Sequence, residues 1–135
     1  ALVGGMMVTY AKEKQLGGFV VNGAIRDVDD IKNSPIPVYG ITQTPLGPYR
    51  SGPGEMNVPV CCGGQVVMPG DIIVGDHDGI VVIPQKDAEE LLQAVRNNLA
   101  HEQTEMKKMK SGTYTMQEHQ KEFLEKFLKN GGVFK

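Results

Sequence analysis

The chain has 135 residues with 14 basic and 16 acidic side chains, so its formal net charge at pH 7 is −2. This length fits a domain with a buried core, and the near balance of charge gives no reason to expect a nucleic-acid or membrane partner. The longest apolar run, Ile80 to Ile83, is far shorter than a membrane span. The two cysteines, Cys61 and Cys62, are adjacent. Adjacent cysteines argue against a disulfide framework and a zinc site, so we expect a reducing, cytoplasmic setting.

The first elements predicted are a helix and a strand. Residues 1–16 carry apolar side chains at three- and four-residue spacing, which is typical of an amphipathic helix, and Gly17-Gly18 ends it. Phe19 to Asn22 predicts a short buried strand. The small residues Asn22-Gly23-Ala24 predict a tight turn after that strand.

A cluster of charged residues, Arg26, Asp27, Asp29 and Asp30, follows this predicted turn. Arginine supplies a planar fork for a carboxylate, and aspartate supplies oxygens suited to Mg²⁺ or Mn²⁺. The stretch from Asp27 to Asn33 also predicts a short helical turn, in which Asp27 is the N-cap and Asp30 the third helical residue. The residues alone therefore leave two interpretations of the carboxylates open, a metal site and a helix cap. Arg26 alone fits a surface ion pair as well as a ligand anchor.

The middle of the chain predicts strands around a long loop. Ile36 to Tyr39 predicts a strand, and a loop rich in glycine and proline runs from about Thr42 to Asn57. Asp76-His77-Asp78-Gly79 predicts a solvated hairpin turn more strongly than a set of metal ligands. Four further strands are predicted at Val58–Cys62, Gln65–Met68, Ile72–Val74 and Ile80–Ile83.

The last third predicts two helices. Asp87 with Glu90 marks the start of a long helix, and Ser111-Gly112 breaks it. Thr115 with Glu118 marks the start of a second helix. We therefore expect an α/β domain at residues 1–84 and a helical extension at residues 85–135, which packs on the sheet domain or on a neighbouring subunit. One apolar stripe is expected along the long helix, formed by Ala88, Leu91, Leu92, Val95, Leu99, Met106 and Met109.

Two motifs give the chain a family resemblance. The first is Gly5, then twenty residues, then Arg26-Asp27, two residues, and Asp30. The second is the block GDIIVGDHDGIVVIP at residues 70–84, and the segment GPGEMNVPV at residues 52–60 also fits. With these motifs, the stretch from Gly4 to about Pro84 resembles the RraA-like family, which includes the class II 4-hydroxy-4-methyl-2-oxoglutarate aldolases.

The resemblance implies a compact α/β sandwich of the swivelling phosphohistidine-domain-like type, assembled as a homotrimer or a dimer of trimers. Its active site lies between subunits, and the acid borrowed from the adjacent subunit has no identifiable position here. Family members also carry a substantial segment ahead of Gly4. The resemblance therefore implies that the N-terminal part of the family domain is missing from this sequence.

The resemblance also assigns site residues. By motif position, Asp27 binds the divalent metal (Mg²⁺ or Mn²⁺), Arg26 binds the substrate, and Asp30 holds a metal-bound water. The backbone of the glycine-methionine segment also touches the substrate, through Gly4, Gly5, Met6 and Met7.

The activity that the resemblance implies is retro-aldol cleavage of a 2-oxo acid to pyruvate, with oxaloacetate decarboxylation beside it because both reactions form the same enolate. Two alternatives remain. RraA-type family members bind ribonuclease E without catalysis, although such regulators typically lack the acid found at Asp30. A menaquinone-pathway methyltransferase label is also attached to the family, but no glycine-rich loop after a strand with a downstream acid indicates a nucleoside cofactor.

Overall fold

The computed structural model describes residues 1–133 and shows a mixed α/β protein. The chain forms two compact units. The first covers residues 1–85, and the second starts at Lys86. The first unit contains α1 (Gly5–Glu13), β1 (Phe19–Ile25), α2 (Val28–Lys32), β2 (Val38–Gln43), β3 (Val60–Cys62), β4 (Gln65–Val67), β5 (Ile72–Gly75) and β6 (Ile80–Ile83). A short 3₁₀ turn (Gln85–Asp87) spans the boundary, and the second unit contains α3 (Ala88–Ser111) and α4 (Met116–Lys129).

The core of the first unit lies beneath a parallel strand pair. Strand β1 pairs in parallel with β2, and Val3 adds a parallel bridge to Ile25 at the end of β1. Helix α1 is amphipathic and buries Val8 and Ala11. Val3 is buried as well, and so are Ile31 on α2 and Ile36 in the segment after it. The core therefore joins α1 and α2 directly to the carboxyl end of β1.

The turn predicted at Asn22-Gly23-Ala24 is wrong, because β1 continues through it to Ile25. The pairing register with β2 is irregular between Val21 and Ala24, so the small residues form an irregularity within the strand. A Cβ at Gly23 would lie 2.7 Å from Cδ1 of Leu2. The glycine is therefore needed where the N-terminal segment crosses the strand.

Two antiparallel hairpins follow. Strand β3 pairs with β4 through Gly63 and Gly64, which both have positive φ, and β5 pairs with β6. In the second hairpin, Oδ1 of Asp76 accepts hydrogen bonds from the backbone N–H groups of Asp78 and Gly79. The hairpin interpretation of this turn is therefore confirmed. The strand predicted from Val58 begins two residues later, at Val60.

The second unit is helical, as predicted. Helix α3 runs without interruption to Gly112, which adopts a left-handed conformation with φ of 72°. The Thr115 side chain accepts a hydrogen bond from the backbone N–H of Glu118, whereas Asp87 occupies the N-cap position of α3 without a side-chain bond. Within residues 1–133, no helix is long and apolar enough to cross a membrane.

Candidate active site at the carboxyl end of the first strand

The backbone places Arg26 and Asp27 at the end of β1. The Arg26 N–H donates to the carbonyl oxygen of Val3 at 3.0 Å, which ties this corner to the segment ahead of α1. Asp27 has φ of 57° and ψ of 45°, a left-handed conformation that is uncommon outside glycine, although aspartate tolerates it better than most residues. This conformation turns the chain from the strand into α2 and directs the two side chains onto one side.

The carboxylate of Asp27 lies at the N-terminus of α1. Its Oδ2 accepts a hydrogen bond from the backbone N–H of Gly5 at 3.0 Å. Negative charge is stabilised at a helix N-terminus, where backbone N–H groups point outward. Asp27 was predicted to cap its own helix and does occupy that position, but its side chain makes no capping bond there. The Asp27 side chain therefore bonds to the N-terminus of α1 and not to that of α2.

The guanidinium of Arg26 lies against the same carboxylate. Nε of Arg26 is 3.6 Å from Oδ2 of Asp27, and the two side chains are 39% and 42% exposed. Among residues 1–133, both polar contacts of the Asp27 carboxylate use Oδ2, so Oδ1 has no protein partner. The pair therefore presents an exposed cation and an unused carboxylate oxygen side by side.

Gly4 and Gly5 allow this close approach. A Cβ at Gly4 would lie 2.8 Å from Oδ2 of Asp27 and 3.0 Å from Cγ and Nε of Arg26. A Cβ at Gly5 would lie 3.1 Å from Oδ2 of Asp30. The structure thus brings Gly4, Gly5, Arg26, Asp27 and Asp30 together, although they are separated by more than twenty residues in sequence.

Arg26 and Asp27 line an open groove of about 530 Å³. One wall of the groove is formed by Gln43, the last residue of β2, and by Thr44 and Pro45, which follow it. The Thr44 N–H donates to the carbonyl oxygen of Ile25 at 3.0 Å, which holds this wall beside the end of β1. A crevice at the carboxyl ends of parallel strands is a common ligand position in α/β proteins.

The two methionines predicted to contribute backbone contacts lie on the first turn of α1. Met6 is 87% exposed and Met7 is 48% exposed, and neither lines the groove. Asp30 is exposed on α2 and reaches toward Gly5 from outside the groove lining. Among residues 1–133, no three His, Cys, Asp or Glu side chains are grouped as a multidentate metal site.

Comparison with known proteins identifies the family. Residues 1–82 match the family model described as RraA-like, Aldolase/RraA. This chain belongs to the RraA-like family. A Halalkalibacterium halodurans protein named putative 4-hydroxy-4-methyl-2-oxoglutarate aldolase is 39% identical over 103 residues, which are 76% of this chain and 49% of that protein. A Thermus thermophilus protein named 4-hydroxy-4-methyl-2-oxoglutarate aldolase is 36% identical over 85 residues, 63% of this chain and 52% of that protein.

Solved structures of RraA-like proteins share the fold. Streptomyces coelicolor RraAS2, described as an unusual member of the RNase ES inhibitor RraA protein family, aligns with a TM-score of 0.71 and 34% identity. That alignment covers 79% of this chain and 56% of RraAS2. The chain spans about half the length of the curated relatives it matches. The family resemblance read from the motifs and the predicted α/β class are therefore both confirmed.

Sequence reasoning missed the wall formed by Gln43, Thr44 and Pro45. All three residues were assigned to the loop predicted from about Thr42 to Asn57, whereas Gln43 is the last residue of β2. The signal that could have found them is the parallel pairing of two strands, because the residues that follow paired parallel strands lie at one edge. In this RraA-like chain that edge also carries Arg26 and Asp27.

Proposed function

We propose that this chain carries the metal- and substrate-binding corner of a divalent-metal-dependent lyase. Its reaction is retro-aldol cleavage of 4-hydroxy-4-methyl-2-oxoglutarate-type 2-oxo acids to pyruvate, with decarboxylation of oxaloacetate as a second activity. The observation that carries the proposal is the adjacent exposure of the Arg26 guanidinium and the unused Oδ1 of Asp27 on one groove. Relatives named as aldolases of this substrate support the choice of reaction.

The donor set fits Mg²⁺ or Mn²⁺ held through one protein ligand. Mg²⁺ prefers carboxylate oxygen and keeps most of its own waters, so one free oxygen on an open groove is sufficient. Asp27 would hold the ion. A divalent cation bound there supplies Lewis-acid stabilisation for the negative charge that develops on a 2-oxo acid.

The protein's own groups have separate tasks in this proposal. Arg26 binds the substrate carboxylate, because its remaining guanidinium N–H groups form a planar fork that matches two carboxylate oxygens. As the bond between C3 and C4 breaks, the 4-hydroxyl loses its proton, a new carbonyl forms and the electron pair remains on the pyruvate enolate. Asp30 orients the water that accepts this proton. Reprotonation of the enolate carbon then gives pyruvate.

We further propose that the active protein is a homotrimer or a hexamer with the site between subunits. The groove beside Arg26 and Asp27 is open on the outside, and an adjacent subunit would close it and supply a further acid. Exclusion of water by such closure strengthens electrostatic interactions within a site.

The direct test is pyruvate release from 4-hydroxy-4-methyl-2-oxoglutarate and from oxaloacetate. We expect turnover with Mg²⁺ or Mn²⁺, its loss when a chelator is added, and its recovery when the metal is restored in excess. Turnover that persists at the same rate in the chelator, or no turnover of either acid by the assembled protein with metal present, would contradict the proposal.

The Gly4→Ala variant tests whether close approach of the backbone matters for this chemistry. The added Cβ would contact Oδ2 of Asp27 and the Arg26 side chain, so we expect both groups to shift and kcat/KM to fall about a hundredfold. Gly17→Ala is the matched control, since a Cβ at Gly17 meets nothing within 4 Å. Equal activity of the two variants would show that the contact is unimportant.

Binding to a ribonuclease E-type enzyme is the second candidate. It is favoured by the solved structures similar to this chain, which include RraAS2 and the Thermus thermophilus RNA-processing inhibitor RraA. Against it stands Asp30, which RraA-type regulators typically lack. A pull-down with the ribonuclease and its helicase partners distinguishes ribonuclease regulation from lyase activity. Retention of the ribonuclease by a protein without lyase activity would favour regulation, and failure to retain it would eliminate this candidate.

A further inference from the structure

An apolar seam runs along α3 in the second unit. We define the α3 seam as Leu92, Val95, Leu99, Glu102, Met106 and Met109. Its five apolar members are each about half exposed, from 49% to 52%. An exposed contiguous stripe of large apolar side chains marks an interaction surface.

The spacing along the α3 seam alternates between three and four residues. This average of about 3.5 residues is the heptad repeat of coiled coils, in which one helix inserts its apolar side chains between those of another. Leu92, Leu99 and Met106 take the first core position of successive heptads, and Val95, Glu102 and Met109 take the second. The pattern thus fits a partner helix of similar length rather than a broad sheet face.

Neither α4 nor a membrane suits the whole seam. The 14 residues of α4 correspond to about 21 Å, and the seam from Leu92 to Met109 spans about 26 Å, at a rise of roughly 1.5 Å per residue. One copy of α4 therefore cannot cover the seam from end to end. Helix α3 carries four acidic and four basic side chains, so it lacks the cationic face that anionic membranes attract.

The charge distribution along α3 favours an antiparallel copy of the same helix. Glu89 and Glu90 lie in its first turn, and Lys107, Lys108 and Lys110 lie near its end. A parallel pair would place like charges side by side, whereas an antiparallel pair places the acidic start of each helix against the basic end of the other. Antiparallel alignment also places the positive N-terminal end of each helix dipole beside the negative C-terminal end of the other, which is favourable.

The antiparallel register also accommodates Glu102, the polar member of the α3 seam. When Leu92 packs against Met109 of the second copy, Val95 packs against Met106 and Leu99 against Glu102. Arg96, which flanks the seam, then lies beside Glu102 of the second copy. In a parallel pair the two Glu102 carboxylates would instead face each other in the core, which is unfavourable.

We propose that α3 pairs with α3 of a second copy of this chain as an antiparallel two-stranded coiled coil along the α3 seam. The pairing joins two copies through their second units. If the first units form trimers, this contact links two trimers or extends the assembly.

Disulfide cross-linking in the whole chain tests the register. With Cys61 and Cys62 replaced by serine, the double variant Leu92→Cys/Met109→Cys is expected to form covalent dimers under mild oxidation, whereas Leu92→Cys alone is not. Residues 92 and 109 of one helix are about 26 Å apart, too far for a bond within one chain. Glu90→Cys/Thr104→Cys, on the opposite helix face, is the control and should remain monomeric on a denaturing gel.

A charge placed in the seam provides a second, independent readout. Leu99→Glu should weaken self-association by about tenfold or more, because the pair would place the new carboxylate against Glu102 of the second copy in the core, and sedimentation should then show a smaller assembly than for Asn97→Glu on the outer face. Cross-linking of Leu92→Cys alone would overturn the proposal in favour of parallel pairing. Absence of cross-links in the double variant, or an assembly mass unchanged by Leu99→Glu, would overturn it altogether.

Discussion

Replacing Asp27 with asparagine should lower kcat for pyruvate release by about a hundred- to a thousandfold, the usual cost of removing one group that stabilises developing negative charge. The asparagine oxygen can still accept the hydrogen bond that Gly5 N–H donates to Oδ2 of Asp27. We therefore expect the melting temperature to remain close to that of the wild type, while metal-dependent turnover is lost. Steady-state kinetics at saturating metal, together with thermal unfolding, measure both quantities.

The matched control for this prediction is Asp29→Asn, two residues further along. Asp29 is exposed on α2, and its backbone carbonyl accepts hydrogen bonds from the backbone N–H and the side-chain amide of Asn33. The Asp29→Asn substitution removes the same charge from the same corner of the protein, but Asp29 does not line the groove. If both variants lost activity equally, the loss would reflect the local charge rather than a ligand role for Asp27.

The Arg26→Lys variant should raise KM for the 2-oxo acid with a smaller effect on kcat. Lysine keeps the positive charge but lacks the planar fork, so the two parallel hydrogen bonds to a carboxylate are lost. We expect kcat/KM to fall about 10- to 100-fold, which matches roughly 1.5–3 kcal/mol for hydrogen bonds to a charged group. The kcat/KM of Arg26→Ala should fall at least as far, because this substitution removes the charge as well.

Arg50→Ala is the control for Arg26, since Arg50 is exposed on the loop between β2 and β3. Its loss removes one positive charge from the first unit but none from the groove lining. The variant should retain wild-type kinetics. An unchanged KM in Arg26→Lys and Arg26→Ala would remove substrate binding from the tasks of this residue.

Local patterns predicted most of the elements because their signals lie within the elements themselves. The spacing of apolar residues placed α1, α3 and α4, and the Asp76–Gly79 turn was identified by a glycine that follows aspartate. The Thr115 cap was equally local, since one hydroxyl reaches an N–H three residues on. Elements of this kind need no information about distant parts of the chain.

The errors occurred where distant residues decide the structure. Gly23 was interpreted as a turn residue, yet β1 continues through it, and Leu2 crosses the strand at this glycine. Asp27 was interpreted as a cap for α2, yet its carboxylate bonds to Gly5 at the start of α1. In both cases a contact across more than twenty residues outweighs the local preference.

In the candidate site, too, local motifs predicted some residues and distant contacts decide the position of others. Motif spacing singled out Gly5, Arg26, Asp27 and Asp30, and the structure brings these residues to one corner. The wall at Gln43 and Thr44 carries no motif, because its position depends on how β2 aligns with β1. Burial and pairing register therefore add what residue type and spacing alone cannot supply.

Mn²⁺ binding followed by electron paramagnetic resonance is the most direct test of the central claim that Asp27 holds a divalent cation beside Arg26. We predict binding that Mg²⁺ displaces, that tightens when oxalate is added as a mimic of the 2-oxo acid, and that Asp27→Asn abolishes while Asp76→Asn preserves it. Mn²⁺ binding by Asp27→Asn with wild-type affinity would contradict the claim.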